Sequence, residues 1–417
     1  MGLRPRFSAA EIHAWLPTRG AFTFPTPYST QGVRITNASD CGGAADCVAA
    51  IGYSYWANIN NHANSDRMLI VLGLDRRRGG GGPTLFTYNK RTGETRNAGA
   101  LFSADSPYSW SLAEGWYFSG TRPTSLYMND AGRMLRYDVQ QRTFETVFDV
   151  RDRFGSAKYI WQMHSSADDR VHSATLRQDG SYEMLGCVVY NEAVRQFAFY
   201  AKTGDFDECQ VDRSGRWLVI KENVDGRDGE DNRIIDLQSG QERVLIDANG
   251  AAGHSDLGFG SMIAEDNFNG LPGAVRRWDF AMDVTGGQPA TVRGQGELVY
   301  QLSSWMSGIG HITVAATPQT SLVQQGACVS NAHRENLPRV NEIVCFKLDG
   351  SLKTVVVAPN LTDLNAPGGG NDDYSKLPKG NLDPTGEYFI WTTNAGGDRL
   401  DAFVVRVPWN TLSEPGR

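Results

Sequence analysis

An Asp-bearing turn followed by an apolar burst recurs along this chain. It reads SDRMLIVLG (65–73), ADDRVHSATL (167–176), VDRSGRWLVI (211–220) and LDPTGEYFIWTT (382–393). Each burst has the length of a strand and the β-branched and aromatic content that strands favour. Other stretches alternate apolar and polar residues around a tight turn: TLFTYNKRTGETR (84–96), MLRYDVQQRTFETVF (134–148), FAFYAKTGDFD (197–207), RIIDLQSGQERVLI (233–246) and NEIVCFKLDGSLKTVVV (341–357). These predict outer β-hairpins. GAVRRWDFAMDVTGGQPATV (273–292) and YFIWTTNAGGDRLDAFVVRVP (388–408) read the same way.

Short strands repeating about every 45–55 residues mean radial repetition of small antiparallel sheets. The expected fold is all-β: a seven-bladed β-propeller of four-stranded antiparallel blades. The blades fall near 53–98, 108–150, 158–206, 207–248, 253–300, 303–357 and 375–408. Six or eight blades also fit the rhythm. Residues 1–52 read as an N-terminal segment with a ring-closing strand, and 53–417 as the propeller, a single domain overall. In that segment SAAEIHAWL (8–16) predicts a short helix capped by Ser8, and GVRITN (32–37) predicts the strand that completes the last sheet. The stretches RRRGGGGP (76–83), DGRDGEDN (225–232) and NAPGGGNDDYSK (365–376) cannot bury a core and read as loops.

Composition narrows the function classes. A net charge of −7, from 40 Lys and Arg against 47 Asp and Glu, lacks the basic footprint of a nucleic-acid binder. No apolar run is long enough to span a membrane as a helix. The six cysteines fall into three local couples: Cys41 with Cys47, Cys187 with Cys209, and Cys328 with Cys345. Proximity alone selects these pairings from the 15 that six cysteines allow. Disulfides would imply an oxidising compartment, so the expected location is secreted or periplasmic. No leader is legible at MGLRPRF (1–7); an exported chain would have lost it.

Aligned on their first strands, the units bring His62, Trp110, His164, Gln210, His254, a residue near His311, and Asn381 with Lys379 toward the axis. From His62 to His254 the steps are 44–54 residues. Unpartnered imidazoles are costly to bury, so these positions predict a solvated funnel or a site. Imidazole exchanges protons near neutrality, and several converging could hold zinc or manganese. DGRDGEDN resembles a calcium loop in composition only. Arg276, Arg277, Arg334, Arg339 and Lys379 could bind carboxylate or sulfate. Tyr53, Tyr55, Trp56, Trp110, Trp161 and Trp305 suit sugar faces, or packing between blades. Asp105, Glu114, Glu208, Asp256 and Glu265 keep a two-carboxylate hydrolase open. No GxSxG elbow or P-loop is present.

The blade rhythm over about 55–408, with WQMHSSADD (161–169) and GHSDLGF (253–259), resembles the seven-bladed polysaccharide lyases, the oligogalacturonide and ulvan lyases. The resemblance implies β-elimination on an acidic, uronate-containing oligo- or polysaccharide in the central funnel. His164 would then be the general base, with His62 as the other candidate, and Tyr55 the acid. Arg276, Arg277 or Arg334 would face the carboxylate, with Lys379 and Trp110 also in the substrate site. A divalent metal (manganese, zinc or calcium) would be held through His254 and His311. The final blade departs from the family: KLPKGNLD (376–383) carries Lys379 and Asn381 where the family has paired histidines. A metal-free lyase, a glycoside hydrolase, and a non-catalytic glycan- or protein-binding propeller all stay open.

Overall fold

The computed structural model describes residues 3–49, 51, 53–108, 116–227, 230–246, 251–266, 273–281, 291–292, 296–301, 311–315 and 325–413. Its strands form seven sheets, one after another along the chain, the blades of a β-propeller. Blade three shows the plan: Lys158–Ser165, Val171–Gln178, Met184–Asn191 and Gln196–Ala201 pair in chain order from axis to rim. The last sheet is completed from the other end of the chain. Gln31–Arg34 lies antiparallel to Asp401–Arg406, and Gly20–Thr23 adds a fifth strand. Buried Asp401 takes bonds from Arg34, Arg399 and Thr36, which fastens that seam.

Burial explains the two sequence patterns. Second strands such as Trp217–Asn223 and Tyr388–Thr393 are buried on both faces, pressed between neighbouring blades. They therefore read as unbroken apolar bursts. Outer strands such as Gln196–Ala201 are largely exposed and read as mixed. Large rings fill the spaces between blades: Trp278 and Trp391 are fully buried.

The repeated Asp turn joins first to second strand and also ties blades together. Asp212 accepts from the backbone N–H of Trp217 in its own turn (3.0 Å) and from Gly260 of blade five (2.8 Å). Asp169 accepts from Thr121 N–H (2.8 Å) and the Ser119 hydroxyl (2.6 Å) of blade two. Asp383 accepts from Tyr388 N–H (2.6 Å) and meets His62 of blade one (3.0 Å). Asp66, in the first copy, departs: it is exposed and pairs with Arg91.

Three details differ from the sequence reading. FAFYAKTGDFD is no hairpin: blade three turns back at Arg195, and Thr203-Gly204 instead carries the chain to blade four. A Cβ at Gly204 would lie 1.7 Å from the Asn223 carbonyl oxygen, so only glycine makes that crossing. In blade five, Thr291–Val292 runs parallel to Glu242–Leu245 of blade four, and the outer strand is Glu297–Gln301. In blade seven, Tyr388–Thr393 and Asp401–Arg406 are the second and third strands, because the N-terminal strands supply the rim.

The cysteines form Cys41–Cys47, Cys187–Cys209 and Cys328–Cys345. Cys187–Cys209 links the third strand of blade three to the inner strand of blade four. No helix among the described residues is long and apolar enough to cross a membrane.

Candidate functional site

Inner strands run from one end of the axis, here the mouth, to the Asp turns at the other. Residues ahead of or early in an inner strand therefore face the mouth. Those following it face the turn end. The segment 53–56 lies between the two.

At the mouth, Tyr53 packs against His311 (ring centroids 5.2 Å), His254 (6.2 Å) and Tyr55 (4.9 Å). His254 and His311, from blades five and six, stack at 6.0 Å with planes 16° apart. Tyr374, on the short helix Asp373–Lys376 ahead of blade seven, lies 6.3 Å from His311. The Lys379 ammonium sits 3.5 Å from the centre of the Tyr374 ring, a cation–π contact. Arg334 pairs with Asp373 (2.7 Å), the residue before Tyr374. His254 is exposed, and its Nδ1 lies 3.6 Å from the buried Glu265 carboxylate. His311 is buried with neither ring nitrogen hydrogen-bonded. Burial first, then the His254 and Lys379 charges, lower its pKa to about 3, so it is neutral at ordinary pH. Burial, with Tyr374 and Glu208 adding, raises the Tyr53 phenol, which stays protonated.

Deeper in, the Tyr55 hydroxyl donates to Glu208 (2.7 Å), whose other oxygen accepts from Gln210 (2.9 Å) and lies 3.5 Å from Lys221. His164 stacks on Trp56 (5.5 Å) and meets Tyr55 (5.1 Å). Its buried Nε2 has no hydrogen-bond partner. Burial lowers its pKa to about 4, with Glu208 opposing and Lys221 assisting. Below lies a cavity of about 360 Å³ at the turn end, lined by Tyr55, His164, Gln210, Arg213, Asp256 and Thr313, among others.

The sequence-selected residues thus divide. His254, His311 and Lys379 share the mouth, with Arg334 at its rim. His164 and Tyr55 share the turn-end cavity. His62 joins neither. It follows its inner segment instead of leading it, and is held between Asp383 (3.0 Å) and Lys90 (3.0 Å) at the seam of blades one and seven. Arg276 and Arg277 lie on the third strand of blade five, Ala274–Asp279. There Arg276 donates to the Gly296 carbonyl, and Arg277 pairs with Glu297 (2.6 Å). Trp110, Trp305 and Glu114 lie outside the described residues. Asp256 and Glu208 are engaged: Asp256 accepts from Val314 N–H (2.7 Å) and pairs with Arg213 (3.4 Å). In DGRDGEDN, Asp231 accepts from the backbone N–H groups of Val224 and Asp225, so it serves the loop itself. Tyr374 was missed, because a lone aromatic in a Gly- and Asp-rich loop carries no strand or blade signal.

The chain matches no known sequence family and no curated protein. Solved structures share its fold. An oligogalacturonate lyase in complex with manganese aligns over 99% of this chain and 100% of its own, with TM-score 0.62 and 10% identity. An oligogalacturonate lyase from Vibrio parahaemolyticus aligns over 93% and 96%, with TM-score 0.55 and 10% identity. The resemblance read from blade rhythm therefore holds at the level of fold.

The described residues do not fit a bound manganese ion. No three His, Cys, Asp or Glu side chains among them gather closely enough to hold a cation. The His254 and His311 rings lie 6.0 Å apart, and no third such side chain among the described residues joins them to form a ligand set. A phenol and an ammonium also lie near the two imidazoles, and an ammonium donates without accepting.

Proposed function

We propose that this chain is an exported β-propeller lyase that cleaves a uronate-containing oligo- or polysaccharide by β-elimination at the mouth of its axis. One observation carries the reading: an exposed imidazole (His254), a protonated phenol (Tyr53, bonded to Tyr374) and an ammonium (Lys379) converge there. The end-to-end likeness in fold to two oligogalacturonate lyases supports it. The three disulfides favour an oxidising compartment.

The chemistry needs a base, an acid and a positive charge near the sugar carboxylate. His254 takes the proton from the carbon α to the carboxylate. The electron pair left behind forms a double bond to the β-carbon. The bond from that carbon to the glycosidic oxygen breaks, its electrons go to the oxygen, and Tyr53 supplies that oxygen with a proton. Glu265 beside Nδ1 orients the His254 ring and steadies the imidazolium. Neutral His311 packs Tyr53 from below. A second reading, with His164 as base and Tyr55 as acid, is favoured by their shared cavity at the turn end. There the Tyr55 hydroxyl is bound to a carboxylate, Glu208, whereas Tyr53 is bound to another phenol, Tyr374.

The test is incubation with oligogalacturonate, ulvan and glycosaminoglycan fragments, following the ultraviolet absorbance of unsaturated uronate. The expected result is a rise with at least one substrate, lost in His254→Ala and retained in His164→Ala; the opposite pattern moves the base to His164. New reducing ends without the absorbance mean a hydrolase. Binding without either product means a glycan-binding module.

A further inference from the structure

We infer that Lys379 supplies the positive charge that a divalent cation would otherwise bring to the sugar carboxylate, so that elimination by this chain needs no metal. The inference rests on the lyase reading and names how that same site recognises its substrate.

The backbone holds Lys379 firmly at this place. It stands two residues ahead of the inner strand Asn381–Leu382 of blade seven. Its φ is +46°, a left-handed conformation uncommon for a residue with a Cβ. The neighbours that impose it are tied on all sides. The Thr392 N–H donates to the Pro378 carbonyl (3.3 Å) and the Gly380 N–H to the Ser330 hydroxyl of blade six (3.1 Å). Asn381 exchanges two hydrogen bonds with Asn58 of blade one (3.0 and 3.3 Å). A Cβ at Gly380 would lie 2.2 Å from the Phe389 ring, so the chain passes as close to the core as its atoms allow. Three blades thus fix one lysine beside the axis.

The surroundings suit an anionic guest. The ammonium is largely buried, lies on the Tyr374 face, and acts on His311 and on Asp372 at the rim. Among the described groups beside it are the Tyr374 ring and the neutral His311 ring. A carboxylate placed there meets a positive charge in a site partly withdrawn from water, where ionic contacts strengthen. A cation at the carboxylate makes the α-proton more acidic and stabilises the negative charge that develops as His254 removes it. The same charge disfavours a second cation, and no three His, Cys, Asp or Glu side chains among the described residues gather to hold one. The proton goes to His254, the electron pair enters the new double bond, and Tyr53 protonates the leaving oxygen. No oxidant, reductant or metal enters the balance.

The experiment uses the full chain, stripped with a chelator and checked by elemental analysis. Manganese is titrated calorimetrically, and elimination is followed on oligogalacturonate, ulvan and glycosaminoglycan fragments with chelator or with added manganese. Lys379→Met and Lys379→Arg are compared, with thermal melts to verify folding. The expected outcome is no heat of manganese binding and equal rates with chelator and with manganese. Lys379→Met should lose about 100-fold in rate, the scale of removing one transition-state charge contact, and Lys379→Arg should recover part of it. Activity abolished by chelator and restored by manganese overturns the inference and leaves the lyase reading standing. A folded Lys379→Met with unchanged rate also overturns it. No elimination on any uronate under either condition removes the lyase reading, and the inference with it.

Discussion

The seam of blades one and seven and the mouth of the axis are made from the same residue types and handle them in opposite ways. At the seam of blades one and seven, His62 is enclosed between Asp383 and Lys90, and Asp383 is further bonded to its own turn. At the mouth, His311 is buried with both nitrogens unbonded, His254 is exposed, and Lys379 stands on a left-handed backbone. A histidine with satisfied partners fastens blades. At the mouth a buried imidazole without a hydrogen-bond partner lies beside an exposed one in an open cup, the arrangement a candidate site presents. What separates His62 from His311 and Lys379 is that it follows its inner segment, whereas they precede their inner strands.

The comparison breaks most sharply on activity. His254→Ala should lower elimination by about 100- to 10,000-fold, the usual worth of a positioned base. His62→Gln should leave turnover per folded molecule unchanged, measured as initial rates normalised to active protein. Stability should show the reverse. Asp383→Ala removes one partner of a fully buried pair and should cost about 3–5 kcal/mol in denaturant unfolding; an effect under about 1 kcal/mol would remove the clamp from the account.

A smaller effect follows from the two depressed imidazoles. His164 and His311 have folded-state pKa values of about 4 and about 3, below the ordinary value of 6.5. The unfolded chain therefore binds more protons between those values and 6.5. Stability is full above pH 6.5 and falls as the pH drops toward 4 and then 3. Thermal melts over that range should show the loss, reduced in His164→Gln. Next, Cys187→Ser with Cys209→Ser should lower stability by about 3 kcal/mol, the scale for a loop of this length. Smallest, Arg277→Ala should shift unfolding by less than about 1 kcal/mol, as expected for a partly exposed ion pair, and leave elimination unchanged.

Much of the fold was legible because blades have a strong local signature. Doubly buried second strands write apolar bursts, and Asp turns mark where they begin. The disulfide couples were legible because neighbours in sequence are neighbours in the ring. The site was legible only in part. His311 and Lys379 announced themselves by leading their inner strands, and His254 by lying within its own. His62 looked equivalent, yet a shift of a few residues past its inner segment carried it to the other end of the axis. Arg276 and Arg277 sit in a strand whose rank within the sheet depends on pairing, and pairing is not written in the alternation of residues. Tyr374 comes from a polar loop that folds back over the mouth, a long-range contact with no periodic signal.

The most direct measurement sets His254→Ala beside His62→Gln on a uronate oligomer that the native chain cleaves, reading the absorbance of unsaturated product over time. The account predicts a native-like rise for His62→Gln and none for His254→Ala. A rise that survives in His254→Ala and vanishes in folded His62→Gln would contradict it.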